Sequence, residues 1–141
     1  MSKRILFLCT GNSCRSQIAE ALWRALAGPG WEASSAGSRP AGFVHPLAME
    51  VMGELGIDLS GARSKPVEEF LGEPFDLVVT VCESARASCP ALPGARRTLH
   101  WPLDDPAEAE GSREEQRQTF RRVRDEIAAA IRAELERSVR G

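Results

Sequence analysis

Apolar residues along this chain alternate between short continuous runs, which predict covered strands, and stripes at helical spacing. Ile5-Leu6-Phe7-Leu8 opens the series and predicts a strand over residues 4–8. From about Arg15 to Ala27, the apolar positions Ile18, Leu22, Ala25 and Leu26 share one helical face, and Gly28-Pro29-Gly30 stops that helix. Trp31 to Ala36 predicts a second strand, closed by Gly37. Pro46 suits the first position of a second helix, with a stripe of Leu47, Val51, Met52 and Leu55 ending at Gly56. Pro66 to Leu71 predicts a short helix.

Phe75-Asp76-Leu77-Val78-Val79-Thr80-Val81 is nearly continuous and rich in β-branched side chains, as expected of a parallel strand covered on both faces. Thr98 to Trp101 predicts a weaker fourth strand. Ser112 and Glu115 fit a capping box, after which Phe120, Val123, Ile127, Ile131 and Leu135 recur at helical spacing. Strands alternating with helices predict the α/β class. The expected architecture is a single domain over residues 1–141, with a four-stranded parallel sheet flanked by helices on both faces.

In open parallel sheets, ligands bind beyond the carboxyl ends of the strands. Cys9 follows the first predicted strand, Cys82 the strongest, and Asp104-Asp105 the weakest. Three separate regions thus bring reactive groups to one edge. Around Cys9 the chain reads Cys9-Thr10-Gly11-Asn12-Ser13-Cys14-Arg15-Ser16: a strand end, a Gly/Asn/Ser turn, and an arginine opening a helix. Backbone N–H groups in such a turn converge on a tetrahedral anion. Residues Thr10 to Arg15 are the expected oxyanion cradle.

Arg15 adds a planar fork of donors for two oxygens. It falls in the first helical turn, where the macrodipole disfavours a cation, and that turn carries no acidic neighbour; an arginine there implies an anion in front of it. Cys9 alone would read as a small buried hydrophobe ending a strand. Beside this cradle it reads as a nucleophile, held as a thiolate by the local positive field and by the Ser16 hydroxyl.

Composition narrows the picture. The chain has 141 residues, enough for one domain with a real core, and a net charge of -2, which suggests neither a nucleic-acid nor a membrane partner. The apolar run after Met1-Ser2-Lys3-Arg4 is too short for a signal peptide or a membrane span, so a soluble cytoplasmic protein is expected. In that compartment Cys9, Cys14, Cys82 and Cys89 should be reduced, and any disulfide transient and catalytic. Intervals of four residues within the first cysteine pair and six within the second do not suit zinc, and His45 and His100 are isolated; no metal and no cofactor are expected.

Cys9 to Ser16, followed by Gln17-Ile18-Ala19-Glu20, resembles the active-site loop of the low-molecular-weight protein tyrosine phosphatase superfamily. Ser34-Ser35-Ala36-Gly37 and Asp105-Pro106 resemble further landmarks of it, so the likeness spans nearly the whole chain. The resemblance implies a phosphatase-like fold, nucleophilic attack by Cys9, oxygen binding by Arg15, and proton donation by Asp105. Without it, Asp105-Pro106 reads as a helix cap with proline at the first helical position.

Thr80 to Pro90 is similar to the redox segment of the thioredoxin-coupled arsenate reductases in that superfamily. The plainer reading is two buried cysteines on one helical face. In a helix, Cys82 and Cys89 would stand about 10 Å apart, beyond the roughly 7 Å a disulfide tolerates, so pairing requires partial unwinding. The resemblance implies a relay: Cys9 attacks arsenate, Cys82 attacks Cys9, and Cys89 attacks Cys82. Thioredoxin is the implied reductant, phosphate and sulfate the implied mimics of the substrate, and the chain is expected to be a monomer. Cys14 has no part in the relay and is expected to fill space in the loop.

Two rival functions follow from the same residues. One is an aryl phosphate phosphatase, as main or residual activity, although Ala107-Glu108-Ala109-Glu110 lacks aromatic residues to stack a phenyl ring beside the acid. The other is a non-enzymatic anion or redox sensor. Members of the superfamily with a potassium site use the loop asparagine, the helix glutamate and a later oxygen-bearing segment. Asn12 and Glu20 match, but that segment here reads Ser60-Gly61-Ala62-Arg63-Ser64-Lys65. No potassium site is therefore expected, and the Lys65 ammonium is expected in the negative pocket instead.

Overall fold

The computed structural model describes residues 3–81 and 94–140. Four parallel strands, β1 (Lys3–Cys9), β2 (Trp31–Gly37), β3 (Leu77–Thr80) and β4 (Thr98–His100), form one sheet in the order β2-β1-β3-β4. The continuous apolar run of β1 follows from its central place: Ile5, Leu6 and Phe7 are wholly buried because both faces are covered.

On one face Ile5, Phe7, Cys9, Leu77, Val79 and Val81 join the main core. Three helices cover it: α1 (Arg15–Ala27), α2 (Pro46–Gly53) and α3 (Arg113–Arg140). On the other face Leu6, Leu8, Ala36, Val78 and Phe75 pack with Val67 and Phe70 of the short 3-10 helix η1 (Val67–Phe70). A second 3-10 helix, η2 (Pro106–Glu108), follows β4. The α3 capping box forms as its spacing predicts, with Ser112 and Glu115 each accepting the other's backbone N–H at 3.1 Å.

Three expectations need correction. Ala25 and Leu26 are exposed, because α1 runs past the core in its last turn. Trp23 is the buried residue of that stretch, packed edge-on between Phe7 and Trp31 with centroids 5.9 and 4.9 Å away. Leu55 is half-exposed, because α2 stops at Gly53 and the Gly56 turn, at φ 77°, carries the chain away from the core. The regular ladder of β3 covers less than its apolar run, yet the Val81 N–H still bonds the Leu8 carbonyl at 2.8 Å.

Candidate active site

Beyond β1 the chain wraps a cavity of about 190 Å3 lined by residues 9–15 and Asp105. Its construction starts with the carbonyls, each of which is engaged outside the loop. Ser38, Arg39, Ala41 and His45 donate their N–H groups to the carbonyls of Cys9, Thr10, Gly11 and Ser13 at 3.2, 2.9, 2.8 and 3.0 Å. Gln17 Nε2 donates to Asn12 O at 3.1 Å, and Ile18 N to Cys14 O at 2.9 Å. In a trans peptide the next N–H points opposite to the carbonyl. Pulling six carbonyls outward therefore turns the amides of residues 10–15 toward the cavity, the arrangement an oxyanion requires.

Asn12 is the strained point, at φ 48°, and it is wholly buried. Its side chain secures it. Asn12 Oδ1 accepts from Lys65 N at 2.8 Å and from Gln17 Nε2 at 3.1 Å. Asn12 Nδ2 donates to Ser16 Oγ at 2.7 Å and to Ser35 Oγ at 3.0 Å. Ser35 in turn donates to Glu20 Oε1 at 2.8 Å.

Cys9 Sγ lies at the floor, 2.8 Å from Ser16 Oγ and 3.1 Å from the donating Asn12 N–H. Burial is the largest influence on it and raises its pKa above the ordinary 9.0; the Ser16 and Asn12 hydrogen bonds and the Arg15 charge act in the opposite direction. Every hydrogen bond and charge beside Cys9 thus favours the expected thiolate, and burial opposes it. Cys14 is buried within the core, and its thiol is pushed up to about 12, chiefly by burial.

Arg15 is 7% exposed. Its Nη1 donates to the Leu103 carbonyl at 3.0 Å, and its Nη2 lies 3.5 Å from Asp105 Oδ2. Asp105 Oδ1 caps η2 by accepting from Ala107 N at 3.0 Å, as the helix-cap reading expects, while Oδ2 faces the arginine. Asp104 is exposed and pairs with Arg122, away from the cradle. Cys82 and Cys89 lie outside the described residues.

Four contributors receive no role of their own from the sequence. Gln17 bridges Asn12 and the Arg63 carbonyl, and Ser64 Oγ donates to Gly11 O at 3.1 Å. Segment 38–45 forms the belt that holds the carbonyls. Gly37 sits so close that a Cβ would stand 2.5 Å from Thr10 O. Its place at the end of β2, opposite Cys9 in the register, was the available signal.

The residues do not fit a bound potassium ion. The Lys65 ammonium is almost buried, 2.8 Å from the Arg63 carbonyl and 4.0 Å from Glu20 Oε1, where a cation shell would need oxygens. The Arg63 guanidinium pairs with both Glu69 oxygens at 2.8 Å. Among the described residues, no group of three or more His, Cys, Asp or Glu is placed to hold a metal.

A buried thiol beneath inward-turned loop amides, with an arginine and a carboxylate at the rim, is an arrangement suited to cysteine-dependent chemistry on a tetrahedral oxyanion. The chain belongs to the family described as low molecular weight phosphotyrosine protein phosphatase, whose model matches residues 4–140. It is 47% identical over 133 residues to an arsenate reductase of Halalkalibacterium halodurans, covering 94% of this chain and 95% of that one. It also superposes on a solved arsenate reductase in the phosphate binding state, with a TM-score of 0.79, 30% identity, and coverage of 96% and 98% of the two chains. A Corynebacterium glutamicum thioredoxin-dependent arsenate reductase matches at 35% identity and a TM-score of 0.72, over 99% of this chain and 62% of that one.

Proposed function

We propose that this protein reduces arsenate to arsenite through three cysteines, Cys9, Cys82 and Cys89, with thioredoxin as the reductant, and so serves arsenic detoxification. The observation that carries this reading is the pairing of an oxyanion cradle around Cys9 with two further cysteines in a chain so similar to arsenate reductases.

Arsenate enters the cradle, with its oxygens on the amides of residues 10–15 and on Arg15. Cys9 reacts as its thiolate, a proton on its sulfur passing to an arsenate oxygen as the anion binds. The Cys9 sulfur attacks arsenic, one As–O bond breaks, and Asp105 protonates the departing oxygen, which leaves as water. Cys82 then attacks the Cys9 sulfur. The S–As bond breaks and its electron pair stays on arsenic, so As(V) leaves as arsenite and a Cys9–Cys82 disulfide remains. Cys89 attacks Cys82 and releases Cys9, and the dithiol of thioredoxin reduces the resulting Cys82–Cys89 disulfide.

Among the described residues, no helix is long and apolar enough to cross a membrane. A cytoplasmic monomer, without nucleic-acid or membrane partners, accords with the net charge of -2 and with chemistry that needs reduced thiols. The shared cradle and acid also favour a residual aryl phosphate phosphatase activity.

The test is arsenate-dependent NADPH consumption with thioredoxin and thioredoxin reductase. Wild type should turn over many times, whereas Cys82→Ser and Cys89→Ser should lose turnover and still hydrolyse an aryl phosphate. Undiminished arsenate turnover in both variants would sink the relay, and no turnover by wild type would leave the phosphatase reading.

A further inference from the structure

The oxyanion loop is held from behind by a chain of contacts that ends on a lysine. Cys9 Sγ meets Ser16 Oγ at 2.8 Å, and Asn12 Nδ2 spans Ser16 and Ser35 at 2.7 and 3.0 Å. Ser35 donates to Glu20 Oε1 at 2.8 Å, and the Lys65 ammonium stands 4.0 Å from that same oxygen. Lys65 also meets the chain halfway, since its backbone N–H bonds Asn12 Oδ1 at 2.8 Å. Glu20 and Lys65 have side chains only 10% and 14% exposed, so neither charge is well hydrated. Arg24 takes the other Glu20 oxygen at 3.0 Å from a side chain that is 60% exposed.

A carboxylate buried to that extent needs cations close by to offset its lost hydration. Without a cation beside that oxygen, Glu20 would hold Ser35 less firmly, and the Asn12 amide would lose one of the supports behind its Nδ2. From these contacts we infer that Lys65 is a positioning residue: it serves as the built-in counter-cation of Glu20 and thereby keeps the Asn12 loop closed on Cys9. The protein accordingly works without a bound monovalent cation. This rests on Cys9 being the nucleophile.

Removing the ammonium would leave an opening between Glu20 Oε1 and the Arg63 carbonyl, both oxygens. It lies on the wall of a cleft of about 770 Å3 that also includes Arg24, Asp58 and Arg63. A small monovalent cation has access to it from there. The substitution should therefore convert a cation-independent protein into a cation-dependent one.

The experiment compares wild type, Lys65→Met and Lys65→Arg in potassium, sodium and tetramethylammonium chloride at one ionic strength. Three quantities are read: the melting temperature, the rate of Cys9 alkylation in a Cys82→Ser, Cys89→Ser background, and the KM for aryl phosphate. Wild type should give the same values in all three salts. Lys65→Met should melt lower, alkylate several-fold more slowly and show a raised KM in tetramethylammonium, with saturable recovery as potassium replaces it. Lys65→Arg should stay close to wild type.

A wild-type response specific to potassium would overturn the inference. So would a Lys65→Met protein that melts lower but alkylates and binds substrate normally in every salt, since that marks mere structural support. If wild-type Cys9→Ser keeps full activity, the fault lies with the nucleophile assignment and not with Lys65.

Discussion

Arg15 and Leu103 are joined across 88 residues: the Arg15 Nη1 donates to the Leu103 carbonyl at 3.0 Å in a buried contact. Leu103 stands two positions before Asp105, whose Oδ2 lies 3.5 Å from Arg15 Nη2. One guanidinium thus holds the Leu103 carbonyl and faces the Asp105 carboxylate, so in the proposed reaction it would both orient the substrate and fix the approach of the acid. A compact ammonium has no second donor edge to do both. Arg15→Lys should lower kcat/KM for aryl phosphate by about 10²–10³-fold, the usual effect of losing one oriented anion donor. Asp105→Asn keeps the η2 cap and should cost about 10²–10⁴-fold with a poor leaving group, and far less with a good one. If the two residues act as a unit, the double variant should lose clearly less than the product of the singles. Simple multiplication of the two effects would show that the tether does not couple them.

The Ser16 hydroxyl is the closest hydrogen-bonding partner of Cys9 Sγ, at 2.8 Å. Burial holds the thiol pKa above its ordinary value, and the Ser16 bond is the strongest of the influences that lower it. Ser16→Ala should therefore raise that pKa further. At a given pH less thiolate is present, so the acid limb of kcat/KM moves toward higher pH. Cys9 alkylation at neutral pH should slow on the order of tenfold, the equivalent of one hydrogen bond to a charged group. An unmoved limb would mean that Ser16 only packs the loop.

The elements were legible in the sequence where one rhythm governed them. Four parallel strands and three of the helices fall where runs and stripes place them, because a run such as Ile5 to Leu8 is explained only by cover on both faces. The stripe failed where burial depends on distant partners. Leu26 shares a face with Leu22 but lies beyond the reach of the sheet, whereas Trp23 is buried by Phe7 and Trp31.

In the site, Cys9 and Asp105, which follow β1 and β4, meet Arg15 and Ser16 at the start of α1, whereas Asp104 turns away to Arg122. The belt at 38–45 left no trace in the sequence. It acts through backbone N–H groups, which every residue except proline carries, so side-chain identity does not reveal it. The burial that opposes the Cys9 thiolate left no such trace either, because it depends on packing that no local motif encodes.

Gly37 offers a direct test of the cradle's geometry. A Cβ there would stand 2.5 Å from Thr10 O and 3.1 Å from Asn12 N, both backbone atoms of the loop. Gly37→Ala must push the loop inward or part β2 from β1. It should cost about 1–3 kcal/mol of stability, the usual range for overpacking. Phosphate affinity, measured by calorimetry, should fall as well. Gly30→Ala is the control, since a Cβ at Gly30 meets nothing within 4 Å. Equal effects from both substitutions would remove the argument for close approach.

His45 makes stability depend on pH in a direction the contacts specify. Its Nδ1 accepts the Leu47 N–H at 3.0 Å and so caps α2, while its ring packs on Phe120 with centroids 4.7 Å apart. Partial burial is the main influence on its pKa and lowers it from the ordinary 6.5, aided by Arg113 and opposed by Asp105. The folded state therefore takes up this proton less readily than the unfolded chain. The resulting stability is fully present above the unfolded value and is lost as pH falls through it toward the lower folded one. An asparagine at this position still supplies a capping oxygen but does not titrate. His45→Asn should show a smaller drop in melting temperature between pH 7.5 and 5.5 than wild type, whereas His45→Ala should lose about 1 kcal/mol at neutral pH through the missing cap. If wild type and His45→Asn lose stability in parallel over that range, the acid sensitivity belongs to another group.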